Sequence, residues 1–353
     1  MPPCPPARLS PRRLPAMLTL LLAGLLAACS RAPDTPRTGP VTAEQLSQVT
    51  LRVGAPNRIG NRPYLEVSGE LAKLPYKVEW AEFSATPALM EALRNGDIDL
   101  GGNGGSTGMI FEAGNNGPDA IKIVAAGATD PDNPGGAALI VRKGAPYRSL
   151  ADLRGARVSV LHGTGTQYIL EDELQRIGIT TRDFTFSNLP NDMAVAALIS
   201  GHIDVLGIWE PQASALLTRP DLRLLQWIGR EQGGYSLQFA SAKALADPVR
   251  RAAIEDFLVR LARSTVWASR HPDIFSRSVS RLARIEPPVA LAIVRKTSYR
   301  YGLDEAQQAK LKQSFATEID FWRKRGVLHR DVAVDSLFDL RFEPALRAAT
   351  AGK

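Results

Sequence analysis

The chain has 353 residues, 44% apolar and 22% charged, a globular composition and a length that calls for two cores rather than one. Its formal net charge of +7 is spread over interspersed basic and acidic residues with no basic run or aromatic-basic stripe, so nucleic-acid binding has no support. Four scattered histidines lack metal-type spacing, and Cys4 and Cys29 offer the body of the chain no disulfide and no nucleophile, so no metal and no cofactor is expected.

The first apolar segment is "MLTLLLAGLLAA", Met17 to Ala28, preceded by Arg8, Arg12 and Arg13. It is shorter than the roughly 20 residues a bilayer span needs, and with its basic flank it reads as a secretory signal. It runs into "LAAC", Leu26 to Cys29, the pattern of a lipobox, in which the Cys becomes the lipid-bearing N-terminus. The expectation is therefore a signal peptide over 1–28, a lipid anchor on Cys29 and a Pro-rich tether over 29–48. Cleavage there leaves 40 basic and 36 acidic residues, a net charge of +4.

From Val49 short β-type runs alternate with helical ones. "TLRVGAP" and "YKVEWAEF" read as strands, and "TPALMEALRNG" as a helix capped by Thr86, entered through Pro87 and stopped at Gly96. "DIDLGG", "AIKIVAAGA" and "AALIVRKG" follow as strands. After Gly144 a second cycle runs through "SLADLRG" (helix), "ARVSVLHG" (strand), "TQYILEDELQRIG" (helix closed by Gly178), "DFTFSNL" (strand), "NDMAVAALISG" (helix capped by Asn191) and "HIDVLGIWE" (strand). One phrase is written twice, "ALRNGDIDLGG" from Ala92 and "ALISGHIDVLG" from Ala197, so each half builds its own helix–Gly–strand unit. One more strand, "YSLQFASA", precedes a helical tail that opens with Asp247-Pro248 as cap and first turn. In that tail Ala253, Ile254, Phe257, Leu258 and Leu261 share one face.

This order predicts an α/β protein of two lobes, each a mixed, mostly parallel sheet flanked by helices. The expected lobe one is 49–138 plus 238–345, lobe two is 142–234, and the ligand cleft lies between them.

Two Gly-rich loops each follow a strand and open a helix. "GGNGGSTG", Gly101 to Gly108, offers Asn103, Gly104, Ser106 and Thr107, and "HGTGTQY", His162 to Tyr168, offers Thr164, Gly165 and Thr166. Bare amides at a helix N-terminus, with hydroxyls beside them, suit an oxyanion. Either loop alone reads equally well as a plain turn; their equivalent places in two repeated halves favour binding. Neither has the Gly-Lys-Ser/Thr of a Walker loop or the third glycine of a dinucleotide fingerprint, which disfavours ATP and NAD. "GIWEP", Gly207 to Pro211, ends a strand: Trp209 walls a ligand or belongs to the core, and Glu210 accepts from an amine or caps the next helix. Asn57, with Arg58 and Arg62, offers polar groups after the first strand, although the two Arg suit an ordinary surface loop. Asp97, Asp99 and Asp204 resemble a carboxylate set, but in the repeated strands they read as groups bonding turns and loop amides. No Gly-x-Ser-x-Gly elbow occurs, so catalysis is not expected.

The ordered series "RVGAPNRIGN", "ALRNGDIDLG", "SLADLRGARV" and "IWEP" resembles the solute-binding proteins of ABC importers, in particular the aliphatic-sulfonate, taurine and nitrate type. The resemblance implies a two-lobed periplasmic binding protein fold (class II type) that closes over its ligand. It places an anion against Asn103 to Thr107 and Thr164 to Thr166, with Trp209 and Glu210 as an aromatic–acid pair. It further implies a small sulfonate as solute, an ABC permease as partner, a periplasmic location and a monomer. Taurine, nitrate, an aromatic sulfonate or a neutral nitrogenous compound such as a pyrimidine are the rival ligands. An enzyme of pyrimidine-precursor synthesis and a sensor partner are the rival classes.

Overall fold

The computed structural model describes residues 40–57, 59–129, 136–229, 234–297 and 299–351; the signal segment, Cys29, most of the tether and Arg58 lie outside the described residues. Among the described residues the strands are β1 (Thr50–Ala55), β2 (Lys77–Glu82), β3 (Leu100–Gly104), β4 (Ile121–Thr129), β5 (Ala137–Arg142), β6 (Arg157–Ser159), β7 (Thr185–Ser187), β8 (Val205–Trp209), β9 (Leu222–Ile228), β10 (Tyr235–Ser241) and β11 (Tyr299–Arg300). They form two sheets, ordered β11-β4-β10-β3-β1-β2 and β7-β6-β8-β5-β9. In the first sheet β10 and β11 run against the other four, and in the second β5 alone runs against its neighbours, so both sheets are mixed: four strands of each point the same way, but the parallel ladders do not outnumber the antiparallel ones as expected.

Strands buried on both faces send alternate residues into separate cores. In β5, Ala137, Leu139 and Val141 pack on one side of the second sheet, and Ala138 and Ile140 on the other. The whole of β5 thus belongs to the second sheet, which draws Ala137 and Ala138 away from the first-lobe segment expected for them. The tail covers the first sheet on both faces. Ala253, Ile254, Phe257, Leu258 and Leu261 of the helix Pro248–Arg270 fill one core. Leu311, Phe315, Ile319 and Trp322 of the helix Glu305–Lys324 fill the other.

The repeated phrase makes the same joint twice. Gly96 (φ +77°) and Gly201 (φ +82°) end their helices in the left-handed conformation that glycine adopts without a Cβ penalty. Asp99 then accepts from the Arg52 backbone N–H (2.9 Å), its Nε (3.2 Å) and Nη2 (2.8 Å), and Asp204 does the same for Arg157 (2.9, 2.9 and 2.7 Å). Each Asp staples the start of its strand to the neighbouring parallel strand. Hydrogen bonds from Arg157 hold the Asp204 carboxyl down at about 2.

Three local expectations change. Thr86 is the first helical residue after an Ala85 N-cap, and its side chain does not cap; its methyl lies where side chains on Gly104 and Gly108 would be. Asn191 likewise sits inside its helix behind Pro190, with no capping bond. "SLADLRG" closes into a 3-10 turn, Leu150–Leu153, with Ser149 and Asp152 forming a capping box. Asp247 caps its helix as expected, accepting from the Val249 and Arg250 N–H groups.

Candidate ligand-binding cleft

Strand pairing brings the C-terminal ends of β1 and β3 from the first sheet to face the end of β8 and the helix start after β6 from the second. The two sheets enclose a cleft of about 290 Å³ between them. Where the chain crosses, Thr129 and Gly234 are bonded to one another three times. The Thr129 N–H and Oγ1 donate to the Gly234 carbonyl (3.0 Å each), and the Gly234 N–H donates to Thr129 Oγ1 (3.1 Å).

Two helices point their N-termini into this cleft, Ser106–Asn116 behind Gly105 and Gly165–Arg176 behind Thr164, and neither is capped by a side chain. They meet closely: a Cβ built on Gly105 would lie 3.8 Å from the Gly165 backbone nitrogen. Uncapped N–H groups from both lobes therefore converge on one spot, and the two helix dipoles add partial positive charge there.

Of the residues singled out from the sequence, Asn57, Asn103, Thr164, Gly165, Thr166, Trp209 and Glu210 line the cleft together. Asn103 takes φ +58°, a left-handed conformation that Asn tolerates better than other non-glycine residues. Its Oδ1 accepts from Ser236 Oγ (3.2 Å) and Gln238 Nε2 (3.4 Å), so the donor half of the amide is left for the cleft. The Thr164 hydroxyl donates to the Leu161 carbonyl (2.6 Å). Asn57 Oδ1 accepts the Ile59 N–H (2.9 Å) and shapes its own loop. Glu210 accepts from the Ser214 N–H (3.0 Å) and hydroxyl (2.7 Å), so it braces the following helix while edging the cleft. Burial raises the Tyr299 phenol, and the Glu210 charge adds to the rise.

Gly104 and Thr107 do not line the cleft, and Ser106 lines the adjoining pocket behind Gly105 and Gly165, together with Tyr168 and Glu318. A side chain on Gly104 would strike Phe239 at 2.5 Å, so its bareness serves packing. The Ser106 and Thr107 hydroxyls both donate to Glu318, a carboxyl on the helix Glu305–Lys324 that Trp322 Nε1 also reaches. Burial raises the Glu318 carboxyl, while these donors oppose the rise. What this loop presents to the cleft is therefore Gly105 and the amide of Asn103.

Sequence reasoning passed over the floor beneath Asn103. Asn61 and Gln238 exchange side-chain bonds (2.7 and 3.2 Å), Gln238 also donates to the Tyr301 hydroxyl (2.7 Å), and Tyr301 reaches Ser236 (3.3 Å). A Cβ on Gly102 would fall 2.4 Å from both Asn61 and Gln238, so the floor needs glycine there. The signal was present in "YSLQF", where Ser236 and Gln238 put polar groups at alternate positions of an otherwise apolar strand. Tyr64, Ile293, Thr297 and Tyr299, which complete the wall, arrive from distant segments and left no such mark.

A cleft between two mixed sheets, with two helix N-termini at its centre, defines a two-lobed binding protein of the periplasmic type. Residues 71–287 match the family described as "ABC transporter, phosphonate, periplasmic substrate-binding protein", and the chain belongs to that family. It is 30% identical over 214 residues to a protein of Escherichia coli (strain K12) named for aliphatic sulfonate binding, a match covering 60% of this chain and 62% of that relative's own length. The alkanesulfonate-binding protein SsuA of Xanthomonas axonopodis pv. citri, solved bound to MOPS, superposes with a TM-score of 0.71 at 25% identity, over 82% of this chain and 98% of that one. The periplasmic aliphatic sulphonate binding protein SsuA of Escherichia coli shares the fold, with a TM-score of 0.66 at 22% identity over 82% and 92% of the two chains.

Proposed function

We propose that this chain is the substrate-binding component of an ABC importer, that it captures a small alkanesulfonate, and that it passes it to a membrane permease. Its place is the periplasm, held to a membrane by lipid on Cys29. The observation that carries the reading is the meeting of two uncapped helix N-termini in the cleft. A sulfonate bears one charge spread over three oxygens at any physiological pH, which several neutral donors at helix N-termini satisfy. Ile59, Ile169, Trp209 and Ile293 give the wall apolar stretches suited to a carbon tail, which inorganic nitrate lacks.

Closure over the ligand removes water and strengthens each of these bonds, and the ligand favours the closed state because it touches both lobes at once. The test is a calorimetric panel of short alkanesulfonates, taurine, nitrate, an alkylphosphonate and a pyrimidine. Tight binding confined to sulfonates is expected; heat from the phosphonate or pyrimidine alone overturns the reading. Ser214 donates one bond to each Glu210 oxygen and so directs the carboxylate to the following helix. Glu210→Gln is expected to change taurine and ethanesulfonate by the same factor; a larger loss for taurine would put its amine on the carboxylate's remaining lone pairs.

A further inference from the structure

Behind the two helix N-termini a chain of side chains runs from one lobe to the other. Arg325 follows the helix Glu305–Lys324, which packs on the first sheet. Its Nε donates to Glu171 Oε2 (3.2 Å) and its Nη2 to Gln175 Oε1 (2.7 Å), both on the second lobe's helix Gly165–Arg176. Phe321 supports the guanidinium from below, with 3.3 Å between the guanidinium carbon and the ring centre, and Tyr168 from the other lobe meets Phe321 edge-on at 5.1 Å. Glu171 is only 7% exposed. Its second oxygen accepts from Gln167 Nε2 (2.8 Å), and Gln167 Oε1 in turn accepts the Gly163 N–H (2.9 Å). Gly163, at φ +71°, begins the turn that delivers Thr164, Gly165 and Thr166 to the cleft.

We infer that Arg325 is a positioning residue that locks the lobes shut and, through Glu171 and Gln167, holds the second lobe's binding loop in shape. The proposal rests on the reading of the cleft as a ligand site. The lock contacts no ligand, so its contribution belongs to the closed state itself. Apparent affinity scales with the fraction of molecules in the binding-competent state, so weakening the lock lowers affinity for every ligand by one common factor. A side chain acting on the ligand would instead discriminate between ligands. When the lobes part, Glu171 loses its guanidinium, and the Gln167 bond that fixes the Gly163 amide loses its backing. Release of the ligand is thereby coupled to loosening of the loop.

The test uses the full chain with Arg325→Ala and, as a variant that preserves shape and the Gln167 bond, Glu171→Gln. Small-angle scattering at low salt is expected to show a larger ligand-free radius of gyration in both variants than in the wild type. About 0.5 M NaCl is expected to narrow that gap by screening the partly exposed pair. Affinity for two sulfonates of different tail length is expected to fall about tenfold and equally, chiefly through faster dissociation. Adding the second substitution to the first is expected to cost little more. An unchanged radius in both variants, or a loss confined to one ligand, overturns the lock. If no sulfonate binds, the ligand reading fails while the scattering comparison still decides the lock.

Discussion

The two halves of the cleft use the same device and secure it in opposite ways. In the first lobe the loop before the helix Ser106–Asn116 is anchored inward: its hydroxyls go to buried Glu318, and Asn103 rests on the Ser236–Gln238 floor. In the second lobe the loop before Gly165–Arg176 is anchored outward, through Gln167 and Glu171 to Arg325 of the other lobe. One half-site is thus anchored wholly within its own lobe, and the other leans in addition on a residue of the opposite lobe. A receptor that must both hold and release its ligand gains from that asymmetry, because opening disturbs one half-site and spares the other.

The largest effect is expected from charging the point where the halves meet. Nothing lies within 4 Å of a Cβ placed on Gly165, and an acid suits the first turn of a helix, so Gly165→Asp is expected to fold normally. Its carboxylate would occupy the anion's place, and calorimetry should show affinity reduced at least about a hundredfold with an unchanged circular dichroism spectrum. Retained binding would move the ligand away from the junction.

The strand staples separate the lobes next. Each Asp serves two arginines, Asp99 with Arg52 and Arg250, Asp204 with Arg157 and Arg142, but the side chain of Asp99 is 3% exposed and that of Asp204 13%. Asp99→Asn is expected to cost about 3 kcal/mol and Asp204→Asn about 1 kcal/mol in denaturant unfolding, since a buried partner is the costlier one to leave unpaired. The Asp204 carboxyl is depressed to about 2, below its unfolded value, so its contribution is present above that unfolded value and lost as pH falls toward 2. The Asp204→Asn penalty should therefore shrink on acidification. Equal costs for the two substitutions would break the distinction between the lobes.

The smallest effect is expected where the inward anchor spares the ligand. Ser106→Ala removes a hydroxyl that serves Glu318, so affinity should change less than about threefold; a loss of a hundredfold would return Ser106 to the ligand. Glu318 has its carboxyl raised by burial, so the folded protein holds that proton above the unfolded pKa and stability falls as pH rises through that window. Glu318→Gln should flatten this fall in thermal melts taken upward in pH from the unfolded carboxyl's range.

The two-cycle α/β order, the repeated helix–Gly–strand joint and the Gly-rich turns before two helices are legible in the residues alone. These are set by local chemistry: β-branched runs, capping residues such as Asp247, and glycines at positive φ. The sequence also held two marks that could have been read further, the Ser236/Gln238 pair in a buried strand and Glu318 on the apolar face of its helix. Tertiary structure alone decided what those polar groups do. Ser106 and Thr107 are indistinguishable in sequence from ligand donors until the tail, more than two hundred residues later, brings Glu318 beneath them. In the same way Arg325 and Glu171 become partners only because the tail that covers the first sheet ends against a helix of the second. Long-range packing assigns each buried donor its acceptor, and no local pattern of residues can state that assignment.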